Sequence, residues 1–183
     1  MKFIQQLSLA IILSLCATQA FADGPDSATI NFTGSIKVPP CQIQTPRNVQ
    51  VPMGNIPLSA FSGKGTDDKE WADFTVSMTC PAGIKALSYK LDPAGGSQIY
   101  DAAYGVMTLS NKGGASGVGV RVADRDKSDS VPLGQDISLG DKYDPSKFGQ
   151  TININFEAIY YQTEDQIKGG EADALATFTL SYE

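Results

Sequence analysis

Between residues 28 and 38 the side chains alternate strictly. Ala28, Ile30, Phe32, Ile36 and Val38 are apolar, Gly34 falls in phase with them, and Thr29, Asn31, Thr33, Ser35 and Lys37 form the polar set. Successive side chains of an extended strand point to opposite faces, so this period predicts a strand with one apolar and one polar face. Pro39-Pro40-Cys41 ends it. Further along, residues 74–80 alternate large and small, and residues 85–91 run into Asp92-Pro93-Ala94-Gly95-Gly96. Residues 105–110 end at Asn111-Lys112-Gly113-Gly114, and residues 117–122 alternate Gly or Arg with Val. Residues 151–161 place Ile152, Ile154, Phe156, Ala158 and Tyr160 in phase. Residues 174–182 set Ala176, Phe178, Leu180 and Tyr182 against Leu175, Thr177, Thr179 and Ser181. Each run reads as a strand bounded by turn residues. No long window carries a helical period, and a turn or two of helix fits only near residues 57–61 or 145–148. Short strands at regular spacing predict an all-β sandwich or barrel. The charged stretches 62–70 and 124–129 read as exposed loops.

The first 22 residues read as a secretory signal: Lys2, a short apolar run over 7–16, and Ala20-Phe21-Ala22 as the cleavage site. The apolar run is shorter than the roughly 20 residues of a membrane span. A lipoprotein signal with Cys16 as acceptor fits less well, because Leu15 is bulky where a small residue is wanted. Cleavage after Ala22 leaves 161 of 183 residues, which suits one domain with its own core. Cys41 and Cys80 remain, and in an exported chain their default state is a disulfide. Closing a loop of that length stabilises a fold by about 3–4 kcal/mol in the chain-entropy model.

The net charge of −6, or −7 once Lys2 leaves, is scattered rather than gathered into a basic stripe, which argues against nucleic acid and anionic membranes as partners. The chain has no histidine, which removes Ser-His-Asp and Cys-His catalysis and the usual zinc and copper sites. The pairs Asp67-Asp68 and Asp141 with Asp144 sit among lysines in expected loops and read as solvated surface charge. Asp124 to Asp129 departs from a calcium loop, with Asp129 at the sixth position and Gln135 at the twelfth. The Gly-rich stretch 113–119 reads as a turn into a strand, and Trp71 as a packing residue. No cofactor, metal site or enzyme is expected.

The two ends of the chain bear on function. A strand that closes the chain at Tyr182-Glu183 can lie at the rim of a sheet, and an unpaired rim accepts a strand from another chain. The order of the motifs resembles a pilin subunit of the chaperone–usher pathway over the whole mature chain. Ile30-x-Phe32-x-Gly34-x-Ile36-x-Val38 with Pro40-Cys41-x-Ile43 carries the resemblance at the start, and Met78-Thr79-Cys80 and Gly117-Val118-Gly119-Val120 in the middle. Ile152 to Phe156 with Tyr160-Tyr161, then Gly170, the run 176–180 and the penultimate Tyr182, carry it at the end.

The resemblance implies an immunoglobulin-like β-sandwich that lacks its seventh strand. It divides the chain into a signal (1–22), an N-terminal donor-strand extension (23–39) and a pilin domain (40–183). Ala28, Ile30, Phe32, Gly34, Ile36 and Val38 would face into a neighbour's groove, Gly34 passing a tight point. Gly170, Ala176, Phe178, Leu180, Tyr182 and Glu183 would border this subunit's own groove and meet a periplasmic chaperone, with the Glu183 carboxylate anchored on its basic residues. Neighbouring pilins, the chaperone, an outer-membrane usher and a host receptor reached through the fibre are the implied partners. The implied function is a structural subunit of a surface pilus that supports adhesion. Burying four or five such side chains is worth on the order of 6–15 kcal/mol before entropy. The alternatives are residues 28–38 as an ordinary first strand of the same domain, and a monomeric secreted β-sandwich that binds a carbohydrate or a protein.

Overall fold

The computed structural model describes residues 27–110 and 114–183. The expected signal and the tip of the turn at 111–113 lie outside the described residues. Residues 27–36 form one unit and the domain begins at Lys37. The domain is built from β1 (Gln42–Ile43), β2 (Ala72–Cys80), β3 (Leu87–Ala94), β4 (Ile99–Asp101) and β5 (Val106–Thr108). They are followed by β6 (Val118–Asp124), β7 (Asp129–Ser130), β8 (Ile137–Ser138), β9 (Gln150–Gln162) and β10 (Leu175–Tyr182). One 3-10 turn, Leu58–Ala60, matches the first helical expectation, whereas residues 145–149 make turns only.

The strands form two sheets. The larger runs β1-β2-β9-β6-β5-β4 with β7 on β6, and the smaller runs β10-β3-β8. All strand pairs are antiparallel. Alternate residues of β9, Ile152, Ile154, Phe156 and Ala158, point inward beside Val76 and Met78 of β2 and Val120 and Val122 of β6. Leu87, Tyr89 and Leu91 of β3 meet them from the other sheet, and Leu133 and Leu139 close the layer. Phe156 is fully buried, with its ring 5.1 Å from Phe74 and 5.7 Å from Tyr89. Cys41 and Cys80 form a disulfide that ties the start of β1 to the end of β2.

Several boundaries differ from the sequence reading for physical reasons. β3 passes through Pro93 instead of ending before it, with Pro93 opposite Ala176. Proline cannot donate a ladder bond. The missing donor costs nothing on the other side, where β8 reaches only Ser88 and Tyr89. β6 begins after Gly117, whose positive φ of 75° makes it the turn residue. Gly119 lies inside β6, where a Cβ would collide with the Met107 carbonyl oxygen. Residues 125–128 form the tight turn between β6 and β7.

The stretch 62–70 is not wholly an exposed loop. Asp67 bridges Tyr161, and the Asp68 amide donates to the Tyr160 carbonyl at 3.2 Å. Asp68 is therefore buried, 5% exposed, contrary to its reading as surface charge. Asp141 does behave as surface charge, pairing with Lys127 at 2.9 Å. Trp71 is exposed and lies outside the core, with the Arg121 guanidinium 5.6 Å from its ring and 3.9 Å from that of Tyr104.

Candidate functional site

β10 is the last strand of its sheet and pairs with β3 alone, from Leu175↔Ala94 to Tyr182↔Leu87. Among the described residues, the backbone of 176–182 makes no hydrogen bond to any other segment. An alternating strand so placed offers a row of free N–H and C=O groups. Its side chains divide as the period requires. Thr177, Thr179 and Ser181 are exposed, while Ala176, Phe178 and Leu180 are half-buried against the core. The Phe178 ring stacks on Tyr89 at 5.4 Å and meets the edge of Phe156 at 6.5 Å. Core side chains of both sheets thus reach the open edge through Phe178.

The lead into β10 is held in place. Ala115 and Ser116 donate to the carbonyls of Glu171 and Lys168, and Ser110 donates to that of Asp173. Beside this segment opens a cavity of about 810 Å³, lined by Ile56, Leu58 and Phe61 on one side, Gly169-Gly170 on another, and Val118 and Tyr160. The Tyr160 hydroxyl donates to the Ala172 carbonyl at 2.9 Å. Burial raises the Tyr160 pKa, helped by Asp173 and Asp68 nearby, so the hydroxyl keeps its proton. At the far end of β10 the chain is tied back: Lys85 donates to the Glu183 carbonyl and Glu183 to that of Ala86.

The structure therefore places Ala176, Phe178 and Leu180 on one half-buried apolar face, with Gly170 at the cavity before it. Tyr182 and Glu183 are exposed at the other end. Ala28, Ile30, Phe32, Gly34, Ile36 and Val38 carry no strand pairing, and all are exposed. Phe32 is 92% exposed and Ile36 fully so. The cavity wall at 56–61 and the half-buried Val51 and Met53 went unread in the sequence, although Val49-x-Val51-x-Met53 keeps a period of two. Among the described residues, no cluster of acidic or cysteine side chains could hold a metal ion.

The family model described as "Fimbrial protein" matches residues 30–183. The chain belongs to this fimbrial protein family. A probable fimbrial subunit of Escherichia coli O157:H7, LpfE, is 28% identical over 186 residues, covering all of both chains. The crystal structure of an antigen and type I fimbria protein of Burkholderia pseudomallei is 28% identical, with a TM-score of 0.53 over 84% of this chain and 96% of that one. The P pilus rod subunit PapA shares the fold at 13% identity, with a TM-score of 0.52 over 85% of this chain and all of PapA. This fimbrial chain is accordingly an immunoglobulin-like β-sandwich and a structural subunit of a surface pilus. As a member of that family it is exported, assembles with neighbouring pilins and is not an enzyme. Membership sets aside the monomeric secreted domain.

Proposed function

We propose that this fimbrial subunit joins its fibre by donor-strand exchange. Residues 23–39 are the donor extension, and residues 40–183 form the domain that accepts the extension of another subunit along β10. The observation that carries this reading is the free edge of β10 beside Ala176, Phe178 and Leu180, in a chain that also carries an exposed alternating segment over 28–36. A strand added there gains a backbone ladder at roughly 0.5–1.5 kcal/mol per bond and buries Ile30, Phe32 and Ile36 at roughly 1.5–3 kcal/mol each. Gly34 carries no side chain, which suits a narrow passage along the groove.

Before assembly the same edge needs a temporary partner, since a free edge invites aggregation. A periplasmic chaperone lends that strand and meets Tyr182 and Glu183, and an outer-membrane usher exports the subunit. The finished fibre supports adhesion, with any host receptor reached through the fibre. The test is deletion of residues 23–39. The truncated subunit is expected to accumulate bound to the chaperone and to be absent from surface fibres. A truncated subunit incorporated at the normal level overturns the reading.

A further inference from the structure

A second buried row lies on the face of the larger sheet turned away from β3 and β10. Val106 of β5, Arg121 of β6 and Ile159 of β9 sit side by side across the ladder. Val106 and Ile159 are fully buried, yet they lie outside the core cluster between the sheets. Arg121 faces outward with them, since its neighbours Val120 and Val122 point into the core. Its side chain is only 13% exposed, and its Nε has no partner among the described residues. Nη2 donates to the Ser130 hydroxyl at 2.9 Å, and Nη1 lies 3.9 Å from Asp67 Oδ2.

Aromatic rings gather about this cation. The guanidinium lies 3.9 Å from the Tyr104 ring and 5.6 Å from that of Trp71, and Tyr161 meets Tyr104 edge to face at 5.6 Å. A cation over a ring face is attracted to it, so Arg121 holds these rings in place from within the face. Trp71, Tyr104 and the nearby Tyr100 nevertheless remain exposed. Polar groups interleave with the rings. Burial raises the Tyr161 pKa, and Tyr104, Tyr100 and Asp101 close by add to the shift, so its hydroxyl stays a donor. Asp101 is exposed and accepts the Tyr104 amide at 3.0 Å, which fixes the turn carrying that ring.

We infer that this outer face is a binding site for a neutral pyranose sugar, stacked on Trp71 and Tyr104 and hydrogen-bonded by the hydroxyls and carboxylates around them. A pyranose presents C–H groups on one face and hydroxyls at its edge, which matches exposed rings with a polar rim. The charges narrow the ligand further. Asp67 and Asp101 disfavour an anionic sugar, and Arg121 already supplies the cation at these rings that a cationic ligand would bring. Rings held before binding cost little to order when the ligand arrives. A strand added along β10 leaves this face open, so each copy in a fibre presents it and many weak sites act together. The inference deepens the adhesion reading and rests on it for its use, while sugar binding itself is measured apart from it.

The test applies surface fibres containing the full-length subunit to immobilised neutral glycans ending in galactose, glucose, mannose or N-acetylglucosamine, beside the same glycans capped with sialic acid. The parent is expected to bind at least one neutral glycan more tightly than its capped form. Trp71 is the single tryptophan of the sequence, so the soluble glycan is expected to shift a fluorescence signal that Trp71→Phe fibres lack. Trp71→Ala and Tyr104→Ala are expected to weaken binding by about tenfold or more, and Tyr104→Phe by less, with fibre yield unchanged in all three. A parent that binds no glycan, or Trp71→Ala fibres that bind as the parent does, overturn the inference and leave adhesion through other parts of the fibre standing. Tighter binding of the sialylated forms overturns the neutral assignment. Side-by-side bundling of fibres that Trp71→Ala abolishes, with no glycan bound, overturns the sugar site and gives the face to a second copy of the subunit. Sugar binding lost in Trp71→Ala, with adhesion of the cells unchanged, supports the site and overturns its use in adhesion.

Discussion

Phe156 and Gly119 mark two limits of what the interior tolerates. Phe156 is fully buried between Phe74 and Tyr89, so Phe156→Ala removes a whole ring from a packed layer. A loss of about 3–5 kcal/mol is expected, read from denaturant unfolding of the refolded domain. Gly119→Val instead adds atoms where the Met107 carbonyl oxygen already stands, forcing β5 from β6 at a cost of about 1–3 kcal/mol. Asp68 carries a different kind of strain. Burial raises its pKa, its Oδ1 accepts the Glu70 amide, and its Oδ2 has no partner among the described residues. A carboxyl whose folded-state pKa lies above the unfolded one binds protons preferentially in the folded state. Its contribution to stability therefore improves as pH falls through the folded pKa toward the unfolded one. Asp68→Asn is expected to raise the unfolding midpoint at pH 7, and its advantage to shrink as the pH falls to about 4, near the usual carboxylate range. An advantage that grows on acidification would contradict this.

At the scale of elements, the donor-strand proposal predicts that β10 and the extension act as complementary halves of one device. β10 keeps its face with three half-buried side chains, Ala176, Phe178 and Leu180, and among the described residues it has no neighbour on one edge. Phe32→Asp should leave the thermal unfolding of the chaperone-released domain unchanged while removing its entry into the next subunit, because Phe32 is 92% exposed in the free chain. A lowered midpoint for that variant would mean that Phe32 packs in its own domain. The sequence revealed these elements unevenly. The long periods of β9 and β10 were legible because each face repeats four or more times. β1, β7 and β8 have two residues each, too few for any period to show. Pro93 looked like a stop, since its tolerance depends on how far β8 extends, a tertiary fact. The burial of Asp68 depends in the same way on β9 lying beside it. Of the candidate site, the apolar alternation of the extension and of β10 was readable. The cavity was not, because residues 54–61 and 168–173 meet only in the fold.

For the whole molecule, the disulfide and the open edge set opposite terms. Joining Cys41 to Cys80 restricts the unfolded chain by about 3–4 kcal/mol in the loop-entropy view, so replacing both with Ser should lower unfolding stability by a comparable amount. The free edge of β10 leaves apolar surface uncovered, and a strand from another subunit would cover it. Subunits joined this way share no covalent bond, yet each junction buries several apolar side chains in a closed ladder. Dissociation of such a junction would have to break the ladder and expose those side chains together. The most direct test is to extract surface material and run it on denaturing gels, unboiled beside boiled, probing for this subunit. High-mass bands that collapse to a single monomer on boiling are the expected result; monomer in both lanes, free in the medium, would contradict donor-strand exchange.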